Sequence, residues 1–201
     1  MTGTARNAAD TDDELANTIE QREFGFWLYL MSDAIIFALL FSTYAVLAEG
    51  SAGGADGREL FSLTRVSVET ALLLVSSLTF GLASVALAAG QTSRAYPWLA
   101  ITFVLGACFV ALEVSEFRGM IAAGAGPDRS GLLSAYFTLL GAHGLHVAMG
   151  LLWIVILSVQ LRLQGPTPQT LSRLLRLGLF WHFLDIVWIG IYSVVYLPAM
   201  V

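Results

Sequence analysis

The sequence predicts an all-α, polytopic membrane protein with five transmembrane helices. Hydrophobic residues make up 57% of the 201 positions and charged residues only 12%, about half the charged share of an ordinary soluble domain. Five apolar runs are long enough to cross about 30 Å of hydrocarbon as helix. These spans are predicted at about 24–48, 66–89, 96–117, 132–161 and 177–197.

Glycine and proline mark the breaks between the predicted spans. The connections 49–65, 118–131 and 162–176 are rich in these residues, and a tight turn is expected at 90–95, because such clusters interrupt helices. Before the first span, residues 1–23 carry six acids against two arginines. We therefore expect a mostly disordered acidic tail at 1–23, followed by one five-helix transmembrane domain at 24–201.

Arginine placement predicts the orientation. An odd number of spans puts the termini on opposite sides, and the basic residues near helix ends are slightly more numerous on the side of the N-terminus. Because short cytoplasmic loops carry the excess of positive charge, this favours an N-terminus in the cytoplasm and a C-terminus in the periplasm. The arginines on the N-terminal side are Arg22, Arg94, Arg162, Arg173 and Arg176, against Arg58, Arg65, Arg118 and Arg129.

Ionisable side chains inside the spans are the candidate functional residues. Each costs about 2.5–3.5 kcal/mol at the centre of a membrane helix, so such residues are usually buried against protein and often functional. We interpret them as structural or proton-associated, and we predict no catalytic, cofactor-binding or metal-ligating residue. They are Asp33, Glu69, Glu113, Glu116, His143, His146, His182 and Asp185.

The histidines suggest haem or metal ligation, but their spacing argues against it. His143 and His146 lie three positions apart on one helix, so they cannot bind opposite faces of one haem iron. His182 could complete a three-histidine metal site. We favour hydrogen-bonded structural or proton-associated histidines. Beside them, Gly144 and Ala148 form a small-residue stripe that predicts close contact with another helix.

The last span carries a second polar group. Trp181, Asp185 and Trp188 share one helix face, with His182 three residues before the aspartate. The carboxylate could share a proton with the imidazole or accept hydrogen bonds from the indoles. A structural hydrogen-bond cluster is the favoured interpretation.

The remaining acids differ in predicted depth. Glu113 and Glu116 lie at the end of the predicted third span beside Arg118, so we interpret them as an acidic helix end at the membrane interface. Glu69 lies one turn into the second span. Asp33 lies about two turns into the first, where no Arg or His of its own helix is one turn away, so we expect it to be protonated part of the time. Both proton handling and a structural role remain open for it.

Ordered sequence motifs resemble the third subunit of haem-copper terminal oxidases. They are FGFWLYLMSDAIIFALLFSTYAVL, VETALLLVSS, LEVSEF, HGLHVAMG and WHFLDIVWIGIYSVVYL, and together they cover most of residues 24–196. The resemblance is strongest to the bo-type ubiquinol oxidase branch. This distinction rests on four features: five spans rather than seven, the YLMSD motif, the segment GPDRSGLLSAYF, and Asp33. Cytochrome c oxidase relatives commonly have glutamate at the position of Asp33.

The resemblance implies a cytochrome c oxidase subunit III-like bundle without an active site of its own. The chain would be a subunit of a proton-translocating ubiquinol oxidase in a bacterial inner membrane. Haems and copper would lie on the large partner subunit, ubiquinol would be met through the complex, and phospholipids would bind between helices. No nucleic-acid partner is expected. Asp33 corresponds to the site linked to proton supply in cytochrome c oxidases, although its shorter acid weakens that comparison.

Other functions remain open at the level of sequence. The same scaffold serves as the third subunit of a cytochrome c oxidase or as an accessory protein of a nitric-oxide reductase. A stand-alone transporter would also place acids in the membrane, but the sequence has no internal repeat and no pair of interrupted spans.

Overall fold

Five long helices form the fold. The computed structural model describes the backbone of residues 3–50 and 63–200 and the side chains of 21–48 and 64–198. Within these ranges, five helices are long and apolar enough to cross a membrane, as predicted. They are α1 (Gly3–Gly50), α2 (Leu63–Ala88), α3 (Thr92–Ala122), α4 (Gly131–Gln164) and α5 (Pro168–Ile191), followed by a wider π-type turn (Tyr192–Tyr196) and a final turn, α6 (Leu197–Met200).

The residues predicted as a tail continue directly into the first span. The backbone of α1 is helical from Gly3, and residues 21–48 form its membrane-spanning part. The side chains of residues 1–20 lie outside the described part of the structure. The division into an acidic tail and a transmembrane domain therefore stays a prediction.

The predicted connection at 162–176 is wrong in length. It reduces to three residues, because Thr167 caps α5 by accepting a hydrogen bond from the Thr170 N–H at 3.2 Å and Pro168 opens the helix. Proline suits a first helical turn, where its missing N–H is not needed. Gly165, with φ of 72°, ends α4. Residues 168–176 are thus the first turns of α5.

The third span is also longer than predicted. Helix α3 continues to Ala122, because no residue before Gly124, with φ of 74°, breaks it. The next helix starts where Ser130 accepts a hydrogen bond from the Leu133 N–H at 3.1 Å. Glu113 and Glu116 therefore lie more than one turn inside the helix rather than at its end.

Helix α5 is the central element of the bundle. It packs against α1, α2 and α4, while α3 packs between α2 and α4. In its most apolar window 56% of residues are buried, compared with 22% in α1. The last span is therefore the most enclosed of the five, and Asp185 and both of its tryptophans are buried.

The indole of Trp181 fixes the approach of three helices. A Cβ added at Gly106 of α3 would lie 3.0 Å from Trp181 Cη2, and one added at Gly150 of α4 would lie 3.0 Å from Cζ3. The ring therefore lies between two glycine backbones. On the third side, Trp181 Nε1 donates a hydrogen bond to Ser76 Oγ of α2 at 3.2 Å. One side chain of α5 thus contacts α2, α3 and α4.

The predicted small-residue stripe on α4 is only half right. Gly144 is buried, but Ala148 is exposed, because it lies about 40° further round the helix. Gly150, which the prediction did not place in the stripe, makes the close contact with Trp181. The contact face of α4 therefore follows Gly144, Val147 and Gly150.

We predict that Gly106→Ala destabilises the protein and Gly81→Ala does not. The new methyl group at position 106 would meet Leu151 Cδ2 at 2.9 Å as well as the indole, and such overpacking costs about 1–3 kcal/mol. At Gly81 nothing lies within 4 Å, so alanine should stabilise the helix by about 0.5–1 kcal/mol. Thermal unfolding in detergent measures both. Equal midpoints for the two variants would contradict the packing of Trp181.

Candidate functional site

The polar groups inside the bundle occupy three places. A carboxyl cluster joins α2, α3 and α4 near the C-terminal end of α5, an Asp–His pair joins α1 to α4, and a third group joins α5 to α2. Seven of the eight predicted residues are buried or half-buried, and His182 is the exposed one. Most of the ionisable residues in the spans are therefore buried against protein, as predicted.

The carboxyl cluster consists of Glu69, Glu113 and Glu116. Their exposed fractions are 1%, 4% and 7%, so Glu113 and Glu116 are enclosed by protein and do not form the end of a helix, as the sequence had suggested. The sequence pattern placed these two glutamates at a helix end, but α3 continues to Ala122. Both side chains point into the bundle, toward α2 and α4. Each is close enough to the others to interact electrostatically, and Arg65 acts on Glu69 and Glu116 with the opposite sign.

Two tyrosines extend this cluster. Tyr136 Oη donates a hydrogen bond to Glu116 Oε1 at 3.0 Å, and it lies 3.0 Å from Tyr196 Oη. Tyr196 belongs to the π-type turn after α5, where one extra residue per turn changes the direction in which a side chain points. Sequence reasoning missed both residues, because a tyrosine inside an apolar span is not distinguishable from ordinary aromatic packing.

The carboxyl of Glu113 rests directly on the backbone of α4. A Cβ added at Gly144 would collide with both carboxyl oxygens of Glu113. Glu113 Oε1 and Glu69 Oε1 are buried and have no hydrogen-bond partner among the described residues. Carboxyls that share such a site hold protons between them, so the arrangement is suited to storing or passing a proton rather than to binding a haem.

Asp33 is paired with a histidine of another helix. Asp33 Oδ2 of α1 lies 3.5 Å from His146 Nε2 of α4, and Tyr29, one turn earlier on α1, interacts with the same carboxyl. His146 Nδ1 lies 2.6 Å from the Ala142 carbonyl oxygen and donates to it. With Nδ1 as the donor, Nε2 of a neutral ring is an acceptor, so a hydrogen bond to Asp33 requires one additional proton on the pair. The sequence argument considered only partners on α1 and missed His146.

His143 is the most enclosed of the histidines. Its exposed fraction is 0%, and neither ring nitrogen has a hydrogen-bond partner among the described residues. The ring packs edge-on against Phe109, with centroids 5.7 Å apart, and lies 5.4 Å from the ring of Trp188. The expected hydrogen-bonded role therefore fits His146 and His182 but not His143, whose contacts are aromatic.

The cluster predicted around Asp185 has different partners. Trp181 Nε1 donates to Ser76, and Trp188 Nε1 donates to Thr70 Oγ1 at 3.0 Å. The indoles therefore do not bond Asp185, because the hydroxyls of α2 pack directly against this face of α5. The carboxyl instead lies near His182.

His182 connects Asp185 to α2. Its Nδ1 lies 3.5 Å from Asp185 Oδ2 and 2.8 Å from Ser77 Oγ. The side chain of His182 is 53% exposed, which is unusual for an imidazole within a span. The hydroxyls of Ser76, Ser77 and Thr70 therefore tie α2 to α5, while the contact between His182 and Asp185 lies within α5.

The three histidines do not converge on one point. His143 packs among aromatic rings, His146 pairs with α1, and His182 lies at the surface against α2. Among the described residues, no group of three or more His, Cys, Asp or Glu side chains is arranged to hold a metal ion. The three-histidine metal site that the sequence left open therefore does not form.

Comparison with known proteins identifies the family. The family model for cytochrome c oxidase subunit III matches residues 15–200. The chain belongs to the cytochrome c oxidase subunit III family. Its members are subunits of haem-copper oxidases, and five membrane-spanning helices make this member a multi-pass membrane protein.

Relatives cover most of the chain. Cytochrome bo(3) ubiquinol oxidase subunit 3 of Pseudomonas aeruginosa is 52% identical over 92% of this chain and 87% of the relative. Quinol oxidase subunit 3 of Bacillus spizizenii is 43% identical over 88% of this chain and 86% of its own length. Cytochrome c oxidase subunit 3 of Bacillus sp. is 40% identical over the same shares. These names agree with the family that the sequence motifs predicted.

We predict that Gly144→Ala destabilises this subunit by about 1–3 kcal/mol, because the new methyl group displaces the Glu113 carboxyl. Gly141→Ala, one turn earlier on α4, is the control, since a Cβ there has its nearest neighbour at 3.8 Å. Thermal unfolding of the purified subunit measures the difference.

A double variant tests the contact itself. If Glu113 is the obstacle, Gly144→Ala combined with Glu113→Ala should lose less than the sum of the single variants, by at least about 0.5 kcal/mol. Additive losses would show that the methyl group meets something else.

Proposed function

We propose that this chain is the non-catalytic third subunit of a proton-translocating haem-copper ubiquinol oxidase. In such a complex, quinol is oxidised and oxygen is reduced to water on the large subunit, which carries the haems and copper. This chain would support assembly and stability of the complex. The single observation that carries the proposal is the likeness, over nearly its whole length, to subunits named for ubiquinol oxidation.

Identity values favour the quinol branch over the cytochrome c branch. The relatives named as bo(3) subunits from two Pseudomonas species are 52% and 53% identical, whereas the relative named as a cytochrome c oxidase subunit is 40% identical. The latter keeps a cytochrome c oxidase as the second candidate function. Either complex would use the same helical scaffold.

The polar interior supports a role without redox chemistry on this chain. His146 donates to a backbone carbonyl, His182 lies against Ser77, and His143 is enclosed by Phe109 and Trp188. Each histidine is thus occupied by packing or by hydrogen bonds within the bundle. The carboxyl cluster instead suits proton storage, which leaves a part in proton access of the large subunit as an additional role.

The proposed location is the bacterial cytoplasmic membrane, with the N-terminus in the cytoplasm and the C-terminus in the periplasm. The start of α5 and the ends of α2 and α4 lie on the side of the N-terminal end of the first span, together with most of the arginines near helix ends. The positive-inside rule assigns that side to the cytoplasm.

A groove between α1, α2 and α5 is a candidate site for a phospholipid. It has a volume of about 400 Å³ and is mostly apolar, with Trp27, Gly81 and Leu179 among its lining residues. It runs along α5 from Leu174 to His182, about 12 Å of helix, which suits one leaflet and one acyl chain. Glu23 and Arg176 both line the groove and interact electrostatically. Because Arg176 Nε is buried without a hydrogen-bond partner among the described residues, the guanidinium still has a donor to offer a lipid phosphate.

We expect Arg176→Gln to weaken retention of an anionic phospholipid by the purified oxidase. Native mass spectrometry of the complex measures the bound lipid. Arg94→Gln is the matched control, because Arg94 lies at the same end of the bundle but hydrogen-bonds Gln91 and does not line the groove. Equal lipid occupancy in both variants would remove the groove as a phosphate site.

Affinity purification tests the proposed function. The tagged chain, extracted gently from its native membrane, should carry a large haem-containing subunit and quinol oxidase activity. The chain expressed alone should have no Soret absorption, because its histidines do not offer haem ligation. A stoichiometric Soret band on the isolated chain would overturn the accessory role.

The same preparation separates the two candidate functions. Oxidation of reduced cytochrome c without quinol oxidation would assign the chain to a cytochrome c oxidase. Absence of any haem-containing partner would reject both.

A further inference from the structure

The three acids of the carboxyl cluster differ in their hydrogen bonds. Glu116 accepts a hydrogen bond from Tyr136 Oη at 3.0 Å. Glu69 and Glu113 are 1% and 4% exposed, and the Oε1 atom of each is buried without a hydrogen-bond partner among the described residues. Because a buried carboxylate needs donors around its oxygens, Glu116 is the acid of the three that is equipped to carry a negative charge.

Two tyrosine hydroxyls form a chain that points toward Glu116. A phenol has one hydrogen to donate. Since Tyr136 donates its hydrogen to Glu116, the 3.0 Å contact between Tyr136 Oη and Tyr196 Oη requires Tyr196 to be the donor. Hydrogen bonds arranged head to tail polarise one another, so this chain stabilises a negative charge at its end.

The π-type turn after α5 brings Tyr196 into the chain. In a regular α-helix Tyr196 would lie two turns after Ile189 and on the same face, and Ile189 is 50% exposed. The wider turn at Tyr192–Tyr196 adds about one residue to the turn, which shifts Tyr196 to the inward face, where it is fully buried. The turn therefore supplies the outer donor of the chain.

Glu69 and Glu113 have no comparable supply of donors. Thr70, the next residue on α2, donates its hydroxyl hydrogen to the Val66 carbonyl oxygen at 2.8 Å, so it does not serve Glu69. The carboxyl of Glu113 rests on the backbone at Gly144. Without donors, a neutral carboxyl is the form that such a site tolerates.

The charges around the cluster balance one carboxylate. Arg65 of α2 acts on Glu69 and Glu116 with the sign opposite to theirs. From α4 come Tyr136 and His143, and the imidazole of His143 is enclosed by aromatic rings. One guanidinium offsets one carboxylate, so a second and a third negative charge would be buried without a counterion.

We propose that the carboxyl cluster is a proton-binding site in which Glu69 and Glu113 hold protons and Glu116 is the charged carboxylate that exchanges one. A proton taken up from water binds Glu116 Oε1. The hydroxyl hydrogens of Tyr136 and Tyr196 then rotate so that the chain runs in the opposite direction, and no other bond changes. This assignment concerns the chain itself and goes beyond its proposed place in an oxidase.

Infrared spectroscopy of the purified full-length chain tests the assignment, because protonated carboxyls and carboxylates absorb at different frequencies. At neutral pH, Glu69→Gln and Glu113→Gln should each remove the intensity of one protonated carboxyl, and the double variant that of both. Glu116→Gln should leave this absorption unchanged. Glu23→Gln is the control, because Glu23 lies outside the cluster and interacts with Arg176.

Three results would overturn the proposal. They are a loss of protonated-carboxyl absorption in Glu116→Gln, unchanged absorption in both Glu69→Gln and Glu113→Gln, and the absence of any such absorption from the unaltered chain at neutral pH. The last result needs no substitution, so it decides the matter even if a variant fails to fold.

Thermal unfolding separates the charged acid from the neutral ones. Glutamine has nearly the shape of a neutral carboxyl, so Glu69→Gln and Glu113→Gln should keep the midpoint of the unaltered chain. Glu116→Gln removes the charge that offsets Arg65, and Tyr136→Phe removes the donor to Glu116, so both should lower the midpoint. Equal midpoints for all of these variants would contradict the placement of the charge on Glu116.

Discussion

The close approach of α5 to its neighbours depends on one side chain, the indole of Trp181. Its ring fits between Gly106 and Gly150, where neither helix has a Cβ, and its Nε1 is bonded to Ser76. In a bilayer, apolar side chains gain nothing by leaving lipid for protein, so such close packing supplies much of the association energy. The same contact sets the positions of α2, α3 and α4, between which the carboxyl cluster lies.

The buried carboxyls show the consequence of that packing. Because α2, α3 and α4 meet closely, Glu69, Glu113 and Glu116 lie together between helices and are almost fully enclosed by protein. A hydrogen bond from Tyr136 to Glu116 satisfies part of the cluster. A group of acids of this kind is costly as charges and tolerable as proton-sharing carboxyls, which makes it the chemically most distinctive part of a subunit proposed to lack redox centres.

The grooves on the outer surface of the bundle differ in length and charge. The groove of α1, α2 and α5 is short and carries one arginine, Arg176, which suits a single lipid of one leaflet. The seam between α3 and α4 is lined by larger apolar side chains as well as alanines, with the exposed Arg118 and Arg162 toward its opposite ends. Length and charge are what distinguish such grooves from one another, because the lipid-facing surface of a membrane protein is apolar throughout.

The sequence by itself determined the helical class, the five spans and the family, because hydropathy, span length and ordered motifs are local properties of the chain. It also identified the ionisable residues that matter. It could not decide which side chains these residues and their neighbours contact. Asp33 pairs with His146, and the Glu113 carboxyl rests on the backbone of α4. The indoles of Trp181 and Trp188 donate to Ser76 and Thr70. These contacts join helices far apart in sequence, so they depend on helix rotation and distance, and only the packing of the bundle sets those.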